Sequence, residues 1–289
     1  MHSAKLCFIG AGNMARSMLG GLIADGYPRE NLCATDPQTD LCQQLSQTMG
    51  IACHTDNITA AQQADVVILC VKPQQLAAVC QELADTVQSQ QPLIISIAAG
   101  IRTQDIEQWL GGKIALVRAM PNTPALIQSG ATALYANEQV QESQRTQAEN
   151  ILRSTGLVVW VKSEQQIDAV TALSGSGPAY YFLFMEAMEQ AGTALGLDAK
   201  TAHLLTLQTA LGAAKMAIES SEDCATLRRK VTSPGGTTEQ ALEVFENQGL
   251  RQIVNHAMQA AYQRSLSLAE ELGNPPHALQ TPHHSGENT

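Results

Sequence analysis

The chain has 289 residues, of which 44% are hydrophobic but only 4% aromatic, and a formal net charge of −10. That length and apolar content build one large core or two ordinary ones, and scarce aromatics beside abundant alanine and leucine favour close-packed helices in part of the molecule. The negative surplus excludes a protein that tracks the nucleic-acid backbone, which needs a concentrated basic surface, so small molecules are the expected ligands and nucleic acid is not.

From the N-terminus, residues 1–5 lead straight into an apolar strand at 5–10 without a signal-like segment. No stretch approaches the ~20 apolar residues of a membrane span, so a cytoplasmic protein with no membrane partner is expected. Gly10, Ala11 and Gly12 make a turn, and 13–25 has helical spacing through Met14, Met18, Leu19 and Leu22, with Gly26 as the stop. Strand and helix recur at 31–36 with 41–49, at 66–71 with 74–87, and at 93–97 with 103–110. Strands at 113–118 and 131–135, a helix at 141–154 and a strand at 157–161 complete residues 1–162. Buried strands alternating with helices predict a Rossmann-type, doubly wound parallel sheet, an α/β fold.

Beyond residue 162 the period changes for good. Segments 165–173, 178–195, 199–219, 224–231, 238–247 and 250–272 all read as helices, which makes 163–272 an all-helical domain. Residues 180–188 and 204–217 are apolar on nearly every face, so a second copy of the chain is expected to cover them. The small residues Ala210, Gly212, Ala213 and Ala214 would let backbones approach closely there. Residues 273–289 read as a disordered tail rather than a metal site at His283 and His284, and no metal is expected. The seven cysteines form no CxxC pair and are expected to be reduced core thiols.

Gly10, Gly12 and Ala15 form GxGxxA between a strand and a helix. The first glycine allows the tight turn, the second lets backbone approach a pyrophosphate, and the third position packs helix on sheet, with the helix N-terminus facing the phosphates. Asp36, at the end of the second strand, stands where an acidic residue takes the ribose hydroxyls and repels a 2'-phosphate. No lysine or arginine between Cys33 and Gln44 offsets it, so the residues alone favour NADH, although Asp before Pro37 also starts an ordinary turn. Ligands of open α/β sheets lie outside the carboxyl ends of the strands, which points to Val71, Lys72 and Pro73, to Ala98, Ala99 and Gly100, and to Met120 through Pro124. Ala98 and Ala99 leave room for a flat ring, and Asn122 and Thr123 can meet a carboxamide. Lys72 also reads as a solvated lysine before a helix.

A second donor-rich turn runs through Ser233, Pro234, Gly235, Gly236, Thr237 and Thr238, whose N–H groups can converge on one small anion. A Pro-Gly turn with Thr237 capping a helix and Gln240 at its third position explains the same residues, and Ser176 before Pro178 likewise reads as a cap.

In order along the chain, FIGAGNMA at 8–15, VKP at 71–73, SIAAG at 96–100, RAMPNTP at 118–124, SGSGPAY at 174–180 and TSPGGTT at 232–238 resemble the pyrroline-5-carboxylate reductases, over residues 4–272. The resemblance implies the last step of proline biosynthesis, in which NADPH or NADH reduces the ring C=N of 1-pyrroline-5-carboxylate to give L-proline. It also implies a Rossmann domain joined to a helical domain that intertwines in a homodimer, in some members as a ring of dimers. Carried over by motif, Ile9, Gly10, Ala11, Gly12, Asn13, Met14, Asn57, Cys70, Val71, Lys72, Pro73, Ile97, Ala98 and Ala99 would line the cofactor. Glu164, Thr237 and Thr238 would meet the amino acid. The expected chemistry is positioning: the substrate carboxylate on the Gly235 to Thr238 amides beside Ser233, the Thr238 hydroxyl facing the ring nitrogen, and Ser176 with Pro178 shaping the wall, in a site between the two domains. Family members commonly carry Ser, Thr or Asn-Arg where this chain has Thr35 and Asp36, which leaves NADPH and NADH both open. A 3-hydroxy acid dehydrogenase of similar layout would need a lysine about four residues beyond a GxG as its general acid. After Gly175 and Gly177 comes Tyr181, with no lysine before Lys200. A non-enzymatic NAD(P)-binding protein would leave the second turn unexplained.

Overall fold

The computed structural model describes residues 3–273, so the expected tail, with His283 and His284, lies outside the described residues except for Gly273. Eight strands form one sheet: β1 (Leu6–Ile9), β2 (Leu32–Thr35), β3 (Ala52–His54), β4 (Val66–Leu69), β5 (Leu93–Ser96), β6 (Leu116–Met120), β7 (Gly130–Ala136) and β8 (Gly156–Trp160), in spatial order β3-β2-β1-β4-β5-β6-β7-β8. Every pair is parallel except β6 with β7. All residues of β1, β4 and β5 are buried, as continuous apolar runs covered on both faces must be.

Helices α1 (Asn13–Ala24), α2 (Thr39–Met49) and α6 (Glu142–Arg153) lie on one side of the sheet, where Met18, Leu19, Leu45, Ile151 and Leu152 pack on Phe8 and Ile68. On the other side α3 (Asn57–Ala61), α4 (Pro73–Gln90) and α5 (Thr103–Trp109) bring Ala60, Leu76, Leu83, Val87 and Ile106 onto Cys7, Val67 and Ile94. This is the doubly wound α/β architecture that the alternating pattern predicts.

Two elements have no counterpart in the sequence pattern. β3 has three residues, none of them buried, so it shows no apolar run, and α3 has five residues behind an Asp56 cap. The strand expected at 113–118 runs instead over Leu116–Met120, because antiparallel pairing of Met120 with Ala133 on β7 carries the ladder forward. The cysteine expectation is corrected too. Cys42 of α2 and Cys53 of β3 are joined as a disulfide with Cα atoms 5.1 Å apart, because Gly50, at φ +67°, turns the chain back between them. Cys7 and Cys80 are buried thiols, Cys33 and Cys70 are half-buried, and Cys224 is exposed.

The described chain divides into two compact units, and Ser176–Ala261 is the second. It holds α8 (Gly177–Ala194), α9 (Ala199–Glu219), α10 (Cys224–Lys230), α11 (Thr237–Asn247) and the first half of α12 (Leu250–Gly273). Helix α7 (Gln165–Val170), a π-helical turn at Thr171–Gly175 and α12 from Tyr262 group with the sheet, where the Ser265 hydroxyl donates to Asp168 Oδ1 at 2.6 Å. In the second unit α8 and α9 leave large apolar side chains uncovered, among them Tyr181 (70% exposed), Leu183 (67%) and Leu211 (62%). No helix among the described residues is long and apolar enough to cross a membrane.

Candidate functional site

The strand order reverses about β1, whose neighbours are β2 on one side and β4 on the other, so a crevice opens at their carboxyl ends. Hydrogen bonds tie the three ends together. Gly10 N–H donates to Thr35 O at 2.9 Å, and Cys70 N–H donates to Ile9 O at 2.8 Å. Gly10 has φ +100°, and a Cβ there would lie 3.0 Å from the Cys70 carbonyl carbon and oxygen, so both conformation and space demand glycine. Gly12 is the N-cap of α1, and a Cβ there would meet nothing within 4 Å. The first amides of a helix have no intrahelical partner, and no acidic residue sits in the first turn of α1 beside Asn13 and Met14. Open space over Gly12, facing those donors, fits the pyrophosphate of a dinucleotide.

Around this turn stand most of the residues expected to line a cofactor. Asp36 follows β2 and reaches back, with Ala11 N–H donating to its Oδ2 at 3.3 Å and Gln38 N–H to its Oδ1 at 3.0 Å. Asn57 accepts from the Thr35 hydroxyl at 2.6 Å and donates to Glu82 at 3.1 Å, which fixes it beside the end of β2. After β4 come half-buried Cys70, whose thiol burial pushes up in pKa, half-buried Val71, and exposed Lys72, which is the N-cap of α4, with Pro73 as its first residue. Ile97 N–H donates to Leu69 O at 3.2 Å, so the loop after β5 starts against β4. In that loop Ala98 is buried and Ala99 half-buried, while Gly100, at φ +71°, would bring a Cβ to 3.1 Å from Leu268 Cβ on α12.

Two of the expected contact residues, Asn122 and Glu164, are already engaged within the chain. The Asn122 amide donates to Ser174 O at 3.0 Å and accepts from Ala131 N–H at 2.8 Å, so it cross-links the loop after β6 instead of presenting itself to a carboxamide. Thr123 beside it is exposed and opens a 3-10 turn, Thr123–Ile127. Glu164 accepts from Thr103 N–H and the Thr103 hydroxyl, both at 2.7 Å, and from Arg118 Nη1 at 3.1 Å. These bonds make it a clamp on the chain that follows Ala98 and Ala99. Arg118 is 1% exposed, and its Nη2 has no partner among the described residues.

In the second unit, Thr237 and Thr238 are the first two residues of α11, and Gly236, not Thr237, is the N-cap. Gly235 takes φ +69°. Its N–H donates to Glu239 Oε2 at 2.6 Å, and Gly236 N–H donates to Ser233 O at 3.0 Å. Of the four expected anion donors, only the Thr237 and Thr238 amides therefore stay uncommitted. Ser176 is the N-cap of α8 with Pro178 as its second residue, but its side chain makes no capping bond.

Residues 5–100 match the family described as NADP oxidoreductase coenzyme F420-dependent, and residues 164–268 match that described as pyrroline-5-carboxylate reductase dimerisation. The chain is 51% identical over 273 residues to a pyrroline-5-carboxylate reductase of Pseudomonas aeruginosa, covering 94% of this chain and all of that one. It belongs to the pyrroline-5-carboxylate reductase family. A family structure from Coxiella burnetii matches 93% of the chain and 99% of its own length at 48% identity and a TM-score of 0.90. A Plasmodium falciparum member crystallised with NADP bound matches 93% of the chain and 99% of its own, at 29% identity and a TM-score of 0.82.

Within this reductase-family chain, what sequence reasoning misses is the set of long-range partners. Glu164 meets Thr103 across 61 positions, and Asn122 meets Ser174 across 52. Gly175 carries a local signal of the second pairing, since a Cβ there would come within 2.6 Å of Met120 Cε. Gly175 of SGSG thus lets the chain there pass close to the end of β6.

Proposed function

We propose that the chain reduces the ring C=N of 1-pyrroline-5-carboxylate to L-proline, the closing step of proline biosynthesis, with NADPH or NADH as reductant. The observation that carries this is the 51% identity spanning the whole length of the Pseudomonas aeruginosa reductase, joined to a glycine turn shaped for a dinucleotide. The cofactor, when bound, supplies the hydride for an already electrophilic protonated imine, so the protein's task is binding and orientation.

In this proposal Gly10, Gly12 and the first turn of α1 hold the pyrophosphate. Buried Ala98 and half-buried Ala99 leave space for a flat ring at the carboxyl end of β5. The Thr237 and Thr238 amides, at the positive end of α11, take the substrate carboxylate, and the Thr238 hydroxyl faces the ring nitrogen. Ser176 contributes a wall. Glu164 acts through Thr103, holding the loop after Ala99 in place. The uncovered apolar faces of α8 and α9 support a homodimer through the helical unit, and the proposal extends to rings of dimers and a cytoplasmic location.

Loss of NAD(P)H absorbance on adding pyrroline-5-carboxylate tests the reaction. Turnover of a 3-hydroxy acid with oxidised cofactor, and none with the imine, would favour the dehydrogenase reading. Cofactor binding with no turnover of either would favour a non-enzymatic protein.

A further inference from the structure

We infer that Asp36 makes this chain select NADH over NADPH; the inference rests on the dinucleotide reading of the glycine turn. Asp36 directly follows the last residue of β2, and its backbone N–H donates to His54 O at 3.1 Å, so it is held from the neighbouring edge strand. Its carboxylate is fixed on both oxygens, by Ala11 N–H inside the glycine turn and by Gln38 N–H. Each carboxylate oxygen keeps a second lone pair after those bonds, enough to accept the two ribose hydroxyls of an adenosine lying along the turn. A 2'-phosphate at the same place offers no proton to accept and brings its own negative charge against a carboxylate held by those two bonds.

A cation paired with Asp36 would cancel that repulsion. None of the ion pairs among the described residues involves it. The arginine of α1, Arg16, is engaged elsewhere. Its Nε donates to Ala11 O at 3.1 Å and its Nη2 to Gln44 Oε1 at 3.4 Å. Ala11 is thus gripped through its N–H by Asp36 and through its carbonyl by Arg16, at two successive peptide groups of the turn. Thr35 and Asn57, the polar neighbours, bond each other and carry no charge.

Titration calorimetry of the full-length chain with NADH and with NADPH tests the inference without turnover. NADH should bind at least about tenfold more tightly, equivalent to ~1.4 kcal/mol. Because like-charge repulsion is screened, the ratio should narrow as salt rises from about 0.05 to 0.5 M. Asp36→Ser should bring the two affinities within about threefold, and Asp36→Asn, which keeps the side-chain shape and one acceptor, should move the ratio the same way. Equal affinities in the unmodified chain, or tighter NADPH, would overturn the inference and leave the reductase reading standing. Binding of neither nucleotide would overturn both.

Discussion

Glu164 and Thr103, 61 positions apart, are joined twice, backbone N–H to one carboxylate oxygen and hydroxyl to the other, each at 2.7 Å. The same carboxylate neutralises Arg118, whose side chain is 2% exposed. Removing it leaves a buried guanidinium without its counter-charge, so Glu164→Ala should cost about 3 kcal/mol of stability. Thr103→Val, which removes one charge-assisted hydrogen bond, should cost about 1.5 kcal/mol. Chemical denaturation measures both, and equal losses would contradict the central role given to Arg118.

The two glycines of the first turn should fail differently. Gly10→Ala meets the Cys70 carbonyl and an unfavourable φ, so it should destabilise the fold by about 1–2 kcal/mol and weaken cofactor binding as well. Gly12→Ala has open space and an ordinary φ of −70°, so it should fold normally. Its methyl group would fill the pyrophosphate's approach and weaken binding at least about tenfold. Thermal unfolding and calorimetry on the same pair separate the effects.

Thr238→Ala should lower kcat by about 100-fold, the range of a lost orienting contact at the reacting ring, while leaving the cofactor Kd unchanged. Glu239→Gln should strengthen substrate binding instead, because it removes the negative charge that rests on Gly235 N–H. Steady-state kinetics on both variants check this, and unchanged turnover in Thr238→Ala would remove that residue from the mechanism.

Stability should fall in acid partly through the helix caps. Backbone and side-chain hydrogen bonds from Thr226 hold the Asp223 carboxyl below its ordinary range, and Thr201 does the same for Asp198. A depressed carboxyl pKa stabilises the fold fully above the unfolded value of about 3.9, and the contribution fades as pH falls through the lower folded value. Asp223→Asn keeps a good cap but not the charge. The gap between wild type and this variant should be widest near neutrality and close below about pH 3 when unfolding is followed by circular dichroism.

Leu204 and Leu211 lie seven residues apart on one face of α9 and are 55% and 62% exposed in the single chain. Replacing both with glutamate should raise the dimer dissociation constant at least about a hundredfold, since each leucine side chain is worth about 1.5–3 kcal/mol on burial. Sedimentation velocity would show it as a shift toward monomer.

Some of this protein is written in neighbouring residues. The alternation of short apolar runs with 3.6-period segments sets the doubly wound sheet, and loss of the two-residue period after Trp160 sets the helical half, because both depend on contacts within one turn or pleat. GxGxxA is legible for the same reason, since a positive φ at Gly10 and an uncovered Gly12 are local demands. Tertiary structure alone decided who receives each hydrogen bond. It placed the three-residue strand β3 at the sheet edge, joined Cys42 to Cys53, spent the Asn122 amide on Ser174 and Ala131, and turned Glu164 toward Thr103 and Arg118. Most of those partners lie tens of positions apart. No spacing rule reaches that far, because folding chooses among many chemically equivalent donors by where the packed core leaves them.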